Sequence, residues 1–278
     1  MLISMRLKDA LFTGLFFALL SPAFAVDAAT PQSAHDLMKD VIYNELKDRQ
    51  HESYWQYHIQ KRMGASTFTA FQIETKDGPL SRILTRDGKP LTADQKRTED
   101  ERVAKLVKNP AELARLKQSH DQDEQRLMRL MGLMNGAFLY EYDGTDDGFT
   151  RLRFKPNPSF APPTYEARIF HSLGGTIWVD PQQKRLARLQ GVIHDRVDFG
   201  YGLLGHIEKG GTFEIRRQPV SENHWRTSRI DVHVAGRVIF FKTINRDQSE
   251  ARSDFKPVPA ETTLQEASKL LSQPEQSS

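Results

Sequence analysis

Histidine, serine and carboxylate side chains are the usual catalytic groups of proteins, but their spacing in this chain favours no catalytic site. The nine histidines occur singly, and none belongs to an HxH or HExxH pattern that would hold a metal ion. Two pairs could in principle support nucleophilic chemistry, and they are His194 with Asp195 and Ser221 with His224. No G-x-S-x-G sequence places a serine in a strained turn, so we expect no enzyme activity.

An acidic turn is the segment most similar to a metal site. Asp143, Thr145 and Asp147 occupy positions 1, 3 and 5 of an EF-hand calcium loop. Gly148 follows at position 6, but position 12 is Phe154 instead of glutamate, and a strand pattern replaces the expected helix. An acidic hairpin turn explains this segment. Because cysteine is absent from the sequence, disulfides and thiolate sites are excluded, and we expect no metal or redox cofactor.

Three groups of apolar residues could form a cavity for an apolar ligand. A stripe of leucines and methionines lies at 127–134, and methionine adapts to ligands of variable shape. A glycine-rich segment at 199–205 could form a flexible mouth, and aromatic residues on separate strands could face the inside of a curved sheet. The predicted ligand-binding residues are Leu127, Met131, Met134, Phe170, Trp178, Tyr201, Leu203, Leu204, Phe213, Trp225 and Phe240.

Each group also has a purely structural interpretation. The stripe at 127–134 can be core, and the glycines at 199–205 can form a tight bend that buries two leucines. The protein's own helices can fill the concave face of the sheet. The sequence therefore leaves open whether this face is an open cavity.

The periodicity of apolar residues predicts the elements that position these side chains. Residues 31–52 have the spacing of a helix, and 92–108 and 110–134 form two charged helices with Pro110 at the first position of the second. Asp-Gly turns join the first strands. The predicted strands are 54–61, 67–76, 80–85, 137–142, 149–154, 165–171, 176–180, 185–194, 211–217, 225–234 and 237–245, and a short helical patch covers 263–271.

These elements predict an α+β fold with a large curled antiparallel sheet of about ten strands. Because a sheet of that size must curl, close or be covered, we expect a half-barrel with helices covering its concave face. The predicted single domain spans 26–256, with a helical insertion at 92–135. A mobile C-terminal tail is expected at 257–278.

The first residues predict export from the cytoplasm. Arg6 and Lys8 precede an apolar stretch at 10–20, and Ala23 and Ala25 give the small-x-small pattern that signal peptidases cleave. The stretch would cover only about half of a roughly 30 Å hydrocarbon core. We therefore expect a signal peptide over 1–25, cleavage near Ala25, and a soluble periplasmic or secreted product without a transmembrane segment.

The charge of the chain argues against nucleic acid as a partner. The sequence has 39 basic and 36 acidic residues, a formal net charge of +3. The basic residues are also scattered, and they often alternate with apolar residues as in a strand with one wet face. Nucleic-acid binding normally requires a stronger and more clustered positive field.

One strand–turn–strand sequence resembles a known family. The segment Gly174-Gly175-Thr176-Ile177-Trp178-Val179-Asp180-Pro181, followed by Arg185-Leu186-Ala187-Arg188-Leu189, is similar to a strand, Asp-Pro turn and strand of LolA/LolB-like periplasmic lipoprotein carriers. The order of elements over about 35–255 also resembles that family, which includes the sensor domain of RseB. The resemblance implies an unclosed half-barrel whose helices plug the concave face and whose cavity holds acyl chains. The long charged insertion at 92–135 and the segment 195–212 depart from it.

We therefore expect an exported protein that binds a lipid or another apolar ligand in the cavity of a lidded half-barrel. An alternative is a module that binds or senses a protein partner in the cell envelope. In that case the charged helices at 92–126 would form the docking face.

Overall fold

The computed structural model describes residues 32–50, 53–199, 205–238 and 241–272. The expected signal peptide lies outside the described residues, as do Tyr201, Leu203, Leu204 and Phe240 of the predicted ligand site. The helices of the described part are α1 (Ala34–Gln50), α2 (Ala93–Lys108), α3 (Pro110–Ala137), α4 (Tyr165–His171) and α5 (Leu264–Ser272). The strands are β1 (Tyr54–Met63), β2 (Ser66–Ile73), β3 (Leu80–Arg86), β4 (Lys89–Pro90), β5 (Phe138–Asp146), β6 (Phe149–Pro156), β7 (Leu173–Asp180), β8 (Arg185–Ile193), β9 (Val197–Phe199), β10 (Gly205–Ile207), β11 (Thr212–Ser221), β12 (His224–Val238) and β13 (Phe241–Val258).

All strands belong to one antiparallel sheet of 13 strands in the order β4-β3-β2-β1-β13-β12-β11-β8-β7-β6-β5. The short strands β9 and β10 extend from β12 outside this order. In the described residues β4 and β5 are the two edges, so the sheet is not closed into a barrel. The predicted α+β fold, with one large curled antiparallel sheet and helices packed on it, is confirmed.

Helix α1 packs against one face of the sheet and forms the largest core with β5 to β8. Met38 and Val41 of α1 are almost fully buried, in the same cluster as Leu152, Ile177 and Leu189 of the sheet. Because side chains alternate along a strand, these sheet residues define one face, which we call the α1 face. The other side of the sheet is called the opposite face.

A second core joins α2 and α5 to the strands at the other end of the sheet. Val103 of α2 and Leu264, Ala267 and Leu271 of α5 are buried in one cluster with Ile73 of β2. Residues 257–272, expected to lie in a mobile tail, therefore belong to the fold, because the apolar side of α5 is covered by the sheet and α2. Residues 273–278 lie outside the described part.

The two charged helices between β4 and β5 begin where the sequence predicts. Thr92 forms a reciprocal capping box with Gln95 at the start of α2. The Asn109 side chain accepts the backbone N–H of Ala111 at 3.0 Å, and Pro110 occupies the first turn of α3. Helix α3 then packs against α1, α2 and α4, so it connects the two cores.

Residues 165–171, predicted as a strand, form helix α4 instead. The Thr164 hydroxyl accepts the backbone N–H of Ala167 at 3.1 Å and caps the helix. Ala167 is buried, and Phe170, one helical turn later, packs against the first core. This spacing of three residues fits one face of a helix, and the aromatic and β-branched composition misled the prediction.

The predicted strand boundary near Gly236 is also wrong. Strand β12 continues through Gly236 to Val238, and β13 runs from Phe241 to Val258, well beyond the predicted end at 245. A Cβ atom at Gly236 would lie 2.5 Å from the backbone oxygen of His206. The glycine therefore permits β10 to approach β12 closely, and it does not mark a turn.

The acidic segment at 143–148 forms the end of β5 and a tight hairpin. Asp147 and Gly148 have positive φ angles of 49° and 81°, as a two-residue type I′ turn requires. The Asp143 carboxylate accepts hydrogen bonds from Arg151 at 2.6 Å and Arg153 at 2.5 Å. The segment is therefore an acidic turn paired with arginines of the next strand.

Candidate ligand-binding site

Four apolar side chains lie together in the middle of the α1 face. Phe213 of β11 is the register partner of Val232 in β12. Two residues along β11, Ile215 is the partner of Ile230. Ile215 also pairs with Leu189 of β8, which packs in the α1 core, so all four side chains project from the α1 face. We call these four residues the apolar block.

The apolar block is only partly covered. All four side chains are half-buried, whereas the sheet residues under α1 are almost fully buried. Among the described residues, Ile215, Ile230 and Val232 belong to none of the four clusters of buried apolar side chains, and Phe213 packs at the border of the first. Helix α1 packs on β5 and β8, and the block lies beside it with part of each side chain exposed to solvent.

Gly191 determines how closely Phe213 approaches the sheet. The two residues are register partners on β8 and β11. A Cβ atom at Gly191 would lie 2.2 Å from Cε1 of the Phe213 ring. The ring therefore occupies the space that any other residue at position 191 would fill, and it extends the apolar surface towards the α1 core.

A buried ionic cluster adjoins the apolar block at the C-terminal half of α1. Arg217, two residues beyond the block on β11, forms an ion pair with Glu45 of α1. Arg185 donates to Glu45 through Nε at 3.0 Å and also pairs with Asp48. Glu45 further accepts the backbone N–H of Leu186 at 2.9 Å. These bonds tie α1 to β8 and β11.

Arg217 and Arg226 remain charged at neutral pH despite their burial. Burial, together with the nearby charge of Arg226, lowers the pKa of Arg217 to about 10. The Arg226 guanidinium donates to the backbone oxygen of Ser53 at 2.8 Å and lies 3.9 Å from Asp48. A set of cationic groups therefore lies beside the apolar block.

Further charged groups continue the cluster onto β1, β13 and Glu74, the residue that follows β2. Glu250 pairs with Lys61 at 2.9 Å and with Arg252 at 2.6 Å. Glu74 accepts the Tyr57 hydroxyl at 3.2 Å, and burial raises the pKa of this carboxyl above its usual value. Across the cluster, five basic side chains (Lys61, Arg185, Arg217, Arg226 and Arg252) face four carboxylates (Glu45, Asp48, Glu74 and Glu250). The excess charge is positive.

Three of the predicted ligand-binding residues lie at the border of the α1 core. Met134, Phe170 and Phe213 are partly buried and pack against it. Phe170 contacts Phe138 edge-to-face with ring centroids 5.0 Å apart. Phe213 is the member of this group that also belongs to the apolar block.

The other described residues of the predicted site lie elsewhere. Trp178 and Trp225 share a separate small cluster with Ala187. Trp178 alternates with the buried Ile177 and so projects from the opposite face, where the Arg188 guanidinium lies 4.5 Å from the centre of its ring. On α3, Leu127 is exposed and Met131 is half-buried. The predicted residues therefore do not converge on one cavity.

Sequence reasoning missed Ile215, Ile230 and Val232 as well as the ionic cluster. The alternation of Phe213, Ile215 and Arg217 along β11 indicated that they share a face. The pairing of β11 with β12 and β8, which joins them into one surface, depends on register between distant segments.

Of the residues considered for catalysis, Ser221 and His224 form a close pair. The Ser221 hydroxyl and Nδ1 of His224 are 2.9 Å apart at the turn between β11 and β12. In the part of the chain that the structure describes, no group of three or more histidine, aspartate or glutamate side chains could hold a metal ion. No helix within the described ranges is long and apolar enough to cross a membrane.

Comparison with known proteins identifies no family. The sequence matches no protein-family profile, and no curated protein is significantly similar to it.

Proposed function

We propose that this protein is exported and binds a lipid or another apolar ligand on the α1 face of its sheet. The observation that carries the proposal is the apolar block of Phe213, Ile215, Ile230 and Val232. These side chains lie beside α1 and are only half-buried, although they occupy the middle of the sheet. A ligand that covers them would complete the burial that α1 provides for the neighbouring strands.

Covering the block contributes to affinity. Every ~100 Å² of apolar protein surface that a ligand covers contributes roughly 2.5 kcal/mol at ~25 cal/mol per Å², before the entropy lost on binding is subtracted. The apolar surface of the ligand adds to this value. The positive excess of the ionic cluster at Arg217 and Arg226 favours a ligand with an acidic head group beside its apolar tail.

The resemblance of residues 174–189 to LolA/LolB-like carriers supports the same proposal, because such proteins hold acyl chains against the inside of an unclosed sheet. The apolar stretch at 10–20 supports export. Lipid binding and export are thus proposed together, and lipid binding is consistent with a sheet whose α1 face is partly open.

Fluorescent fatty-acid binding tests the proposal. We expect the mature protein to bind an anthroyloxy-labelled C16 fatty acid, and Ile215→Ser and Ile230→Ser each to weaken binding about tenfold. The matched control is Leu139→Ser, because Leu139 is an exposed apolar residue on the opposite face of β5. Thermal melting verifies that each variant is folded.

Two outcomes would overturn the proposal. One is the absence of fatty-acid binding by the folded protein, and the other is equal affinity of the block variants and the control. If the protein binds no apolar ligand but loses an envelope partner when charges at 92–126 are reversed, the interaction module becomes the better description.

A further inference from the structure

A cavity lies on the opposite face of the sheet, away from the apolar block. Its volume is about 620 Å³, within the range of about 300–1,000 Å³ that is typical of small-molecule sites. It extends over five neighbouring strands, from Gln190 and Val192 of β8 to Arg62 of β1. Thr212 and Glu214 of β11 are the register partners of these β8 residues, which places the cavity on the face that α1 does not contact.

Ion pairs line this cavity. Arg229 binds Asp231 through two hydrogen bonds of 2.6 and 3.2 Å. Arg216 pairs with Glu214, and both residues lie on β11, the strand next to β12. Since each pair joins residues i and i+2 of one strand, both of its side chains project from the same face of the sheet.

Arg62 belongs to a third pair at the β1 side of the cavity. It binds Asp247 through two bonds of 2.7 and 3.1 Å, and Nδ1 of His233 lies 2.7 Å from the same carboxylate. Because Arg188 also pairs with Glu214 at 2.9 Å, four arginines (Arg62, Arg188, Arg216 and Arg229) meet three carboxylates (Glu214, Asp231 and Asp247), an excess of one positive charge. The ion pairs of the cavity are therefore nearly neutral as a group.

The carboxylates act as hydrogen-bond acceptors at neutral pH. Burial acts to raise the pKa of Asp231, but hydrogen bonds from Arg229 and Ser249 outweigh it and hold the pKa below its usual value. The arginines have five N–H donors each, so donors remain beyond those bound to carboxylates. Donors and acceptors therefore alternate around the cavity, with the Gln190 amide and the Ser249 hydroxyl between them.

Apolar surface is also present in the cavity. Val192, which is 37% exposed and projects from the opposite face, contributes apolar surface between the charged strands. A sugar ring presents C–H groups on its faces and hydroxyls around its edge. This lining matches that distribution, with the apolar contact beneath a ring and the polar groups around it.

We propose that this cavity binds a short saccharide. An acyl chain would remove water from three ion pairs without replacing their hydrogen bonds. A simple anion would gain little here, because the Arg216 and Arg229 guanidinium groups are about half exposed to water and largely neutralised by carboxylates. A hydroxyl both donates and accepts, so a polyhydroxylated ligand can satisfy the alternating groups without a change in charge.

Saturation-transfer NMR and calorimetry with a saccharide panel test the inference. The panel contains neutral glucose and galactose oligomers, N-acetylglucosamine oligomers and uronic-acid oligomers, with inorganic phosphate and hexadecyl phosphate as competitors. We expect at least one oligosaccharide to bind, with an affinity that changes little between low and high salt. Asp231→Asn and Arg229→Gln should each weaken this binding about ten- to a hundredfold.

Matched variants keep the inference falsifiable if an ion-pair variant is unstable. Val192→Glu places a bulky charge in the cavity, and we expect it to abolish saccharide binding while fatty-acid binding persists. Leu139 is a similarly exposed apolar residue on the same face, and we expect Leu139→Glu to change neither saccharide binding nor fatty-acid binding. The inference is overturned if no saccharide of the panel binds at millimolar concentration, if phosphate displaces the saccharide, or if Val192→Glu and Leu139→Glu behave alike.

Discussion

Replacement of Glu45 by alanine tests whether the ionic cluster fastens α1 to the sheet. The Glu45 side chain is 3% exposed, and it pairs with Arg185 and Arg217 while accepting the backbone N–H of Leu186. Removing one partner of a buried ion pair leaves an uncompensated charge and costs about 3–5 kcal/mol. We therefore expect Glu45→Ala to lower the free energy of unfolding by about 3–5 kcal/mol, measured by urea denaturation with circular dichroism.

The control is Glu141→Ala, because Glu141 pairs with Lys155 at 2.8 Å on the surface, where both side chains are more than half exposed. Because water already solvates these charges, the free energy of unfolding of the control should stay close to that of the wild type. Glu45→Gln keeps an acceptor for the backbone N–H of Leu186 but removes the charge. Its free energy of unfolding should therefore lie between those of Glu45→Ala and Glu141→Ala. The reasoning is refuted if Glu45→Ala destabilises the protein no more than Glu141→Ala, since apolar contacts alone would then hold α1.

Three further perturbations test separate parts of the structure. Gly191→Ala displaces the Phe213 ring, and we expect a loss of about 1–3 kcal/mol in urea denaturation; an unchanged midpoint would show that the ring does not lie over the glycine. Leu271→Ala should cost about 2–4 kcal/mol because Leu271 is 4% exposed, whereas Leu270→Ala, at a residue 41% exposed, should have little effect; equal effects would mean that α5 does not pack on the sheet. Burial raises the pKa of Glu74, so its contribution to stability is present below the unfolded pKa and lost as pH rises through the folded pKa. The stability of Glu74→Gln relative to wild type should therefore increase as the pH rises above the unfolded pKa of glutamate, about 4.3, and a difference that stays constant with pH would contradict this account.

Local sequence patterns were sufficient to predict much of the fold. Asn109 and Pro110 mark the start of α3 because capping and the fixed φ of proline act within a few residues. Asp147 and Gly148 predict a hairpin because few residues adopt two successive positive φ angles. The strand predicted at 165–171 was wrong because the composition of the segment favours a strand, whereas the cap at Thr164 and packing on Phe138 select a helix.

The candidate site was less predictable than the fold because it depends on contacts between distant segments. Ile215 and Ile230 become neighbours only through the register of β11 and β12. Arg185 and Glu45 are 140 residues apart and meet only when α1 lies across β8. Trp178 was placed in the predicted cavity by its aromatic character, yet strand alternation next to Ile177 directs it to the opposite face.

Native mass spectrometry of the purified mature protein tests the central claim most directly. If the α1 face binds an apolar ligand, protein purified without detergent should carry additional mass that organic extraction identifies as an acyl lipid. That mass should be reduced in Ile215→Ser and Ile230→Ser and retained in Leu139→Ser. A spectrum of the folded protein without bound lipid, together with no uptake after incubation with vesicles of anionic phospholipid, would contradict the claim.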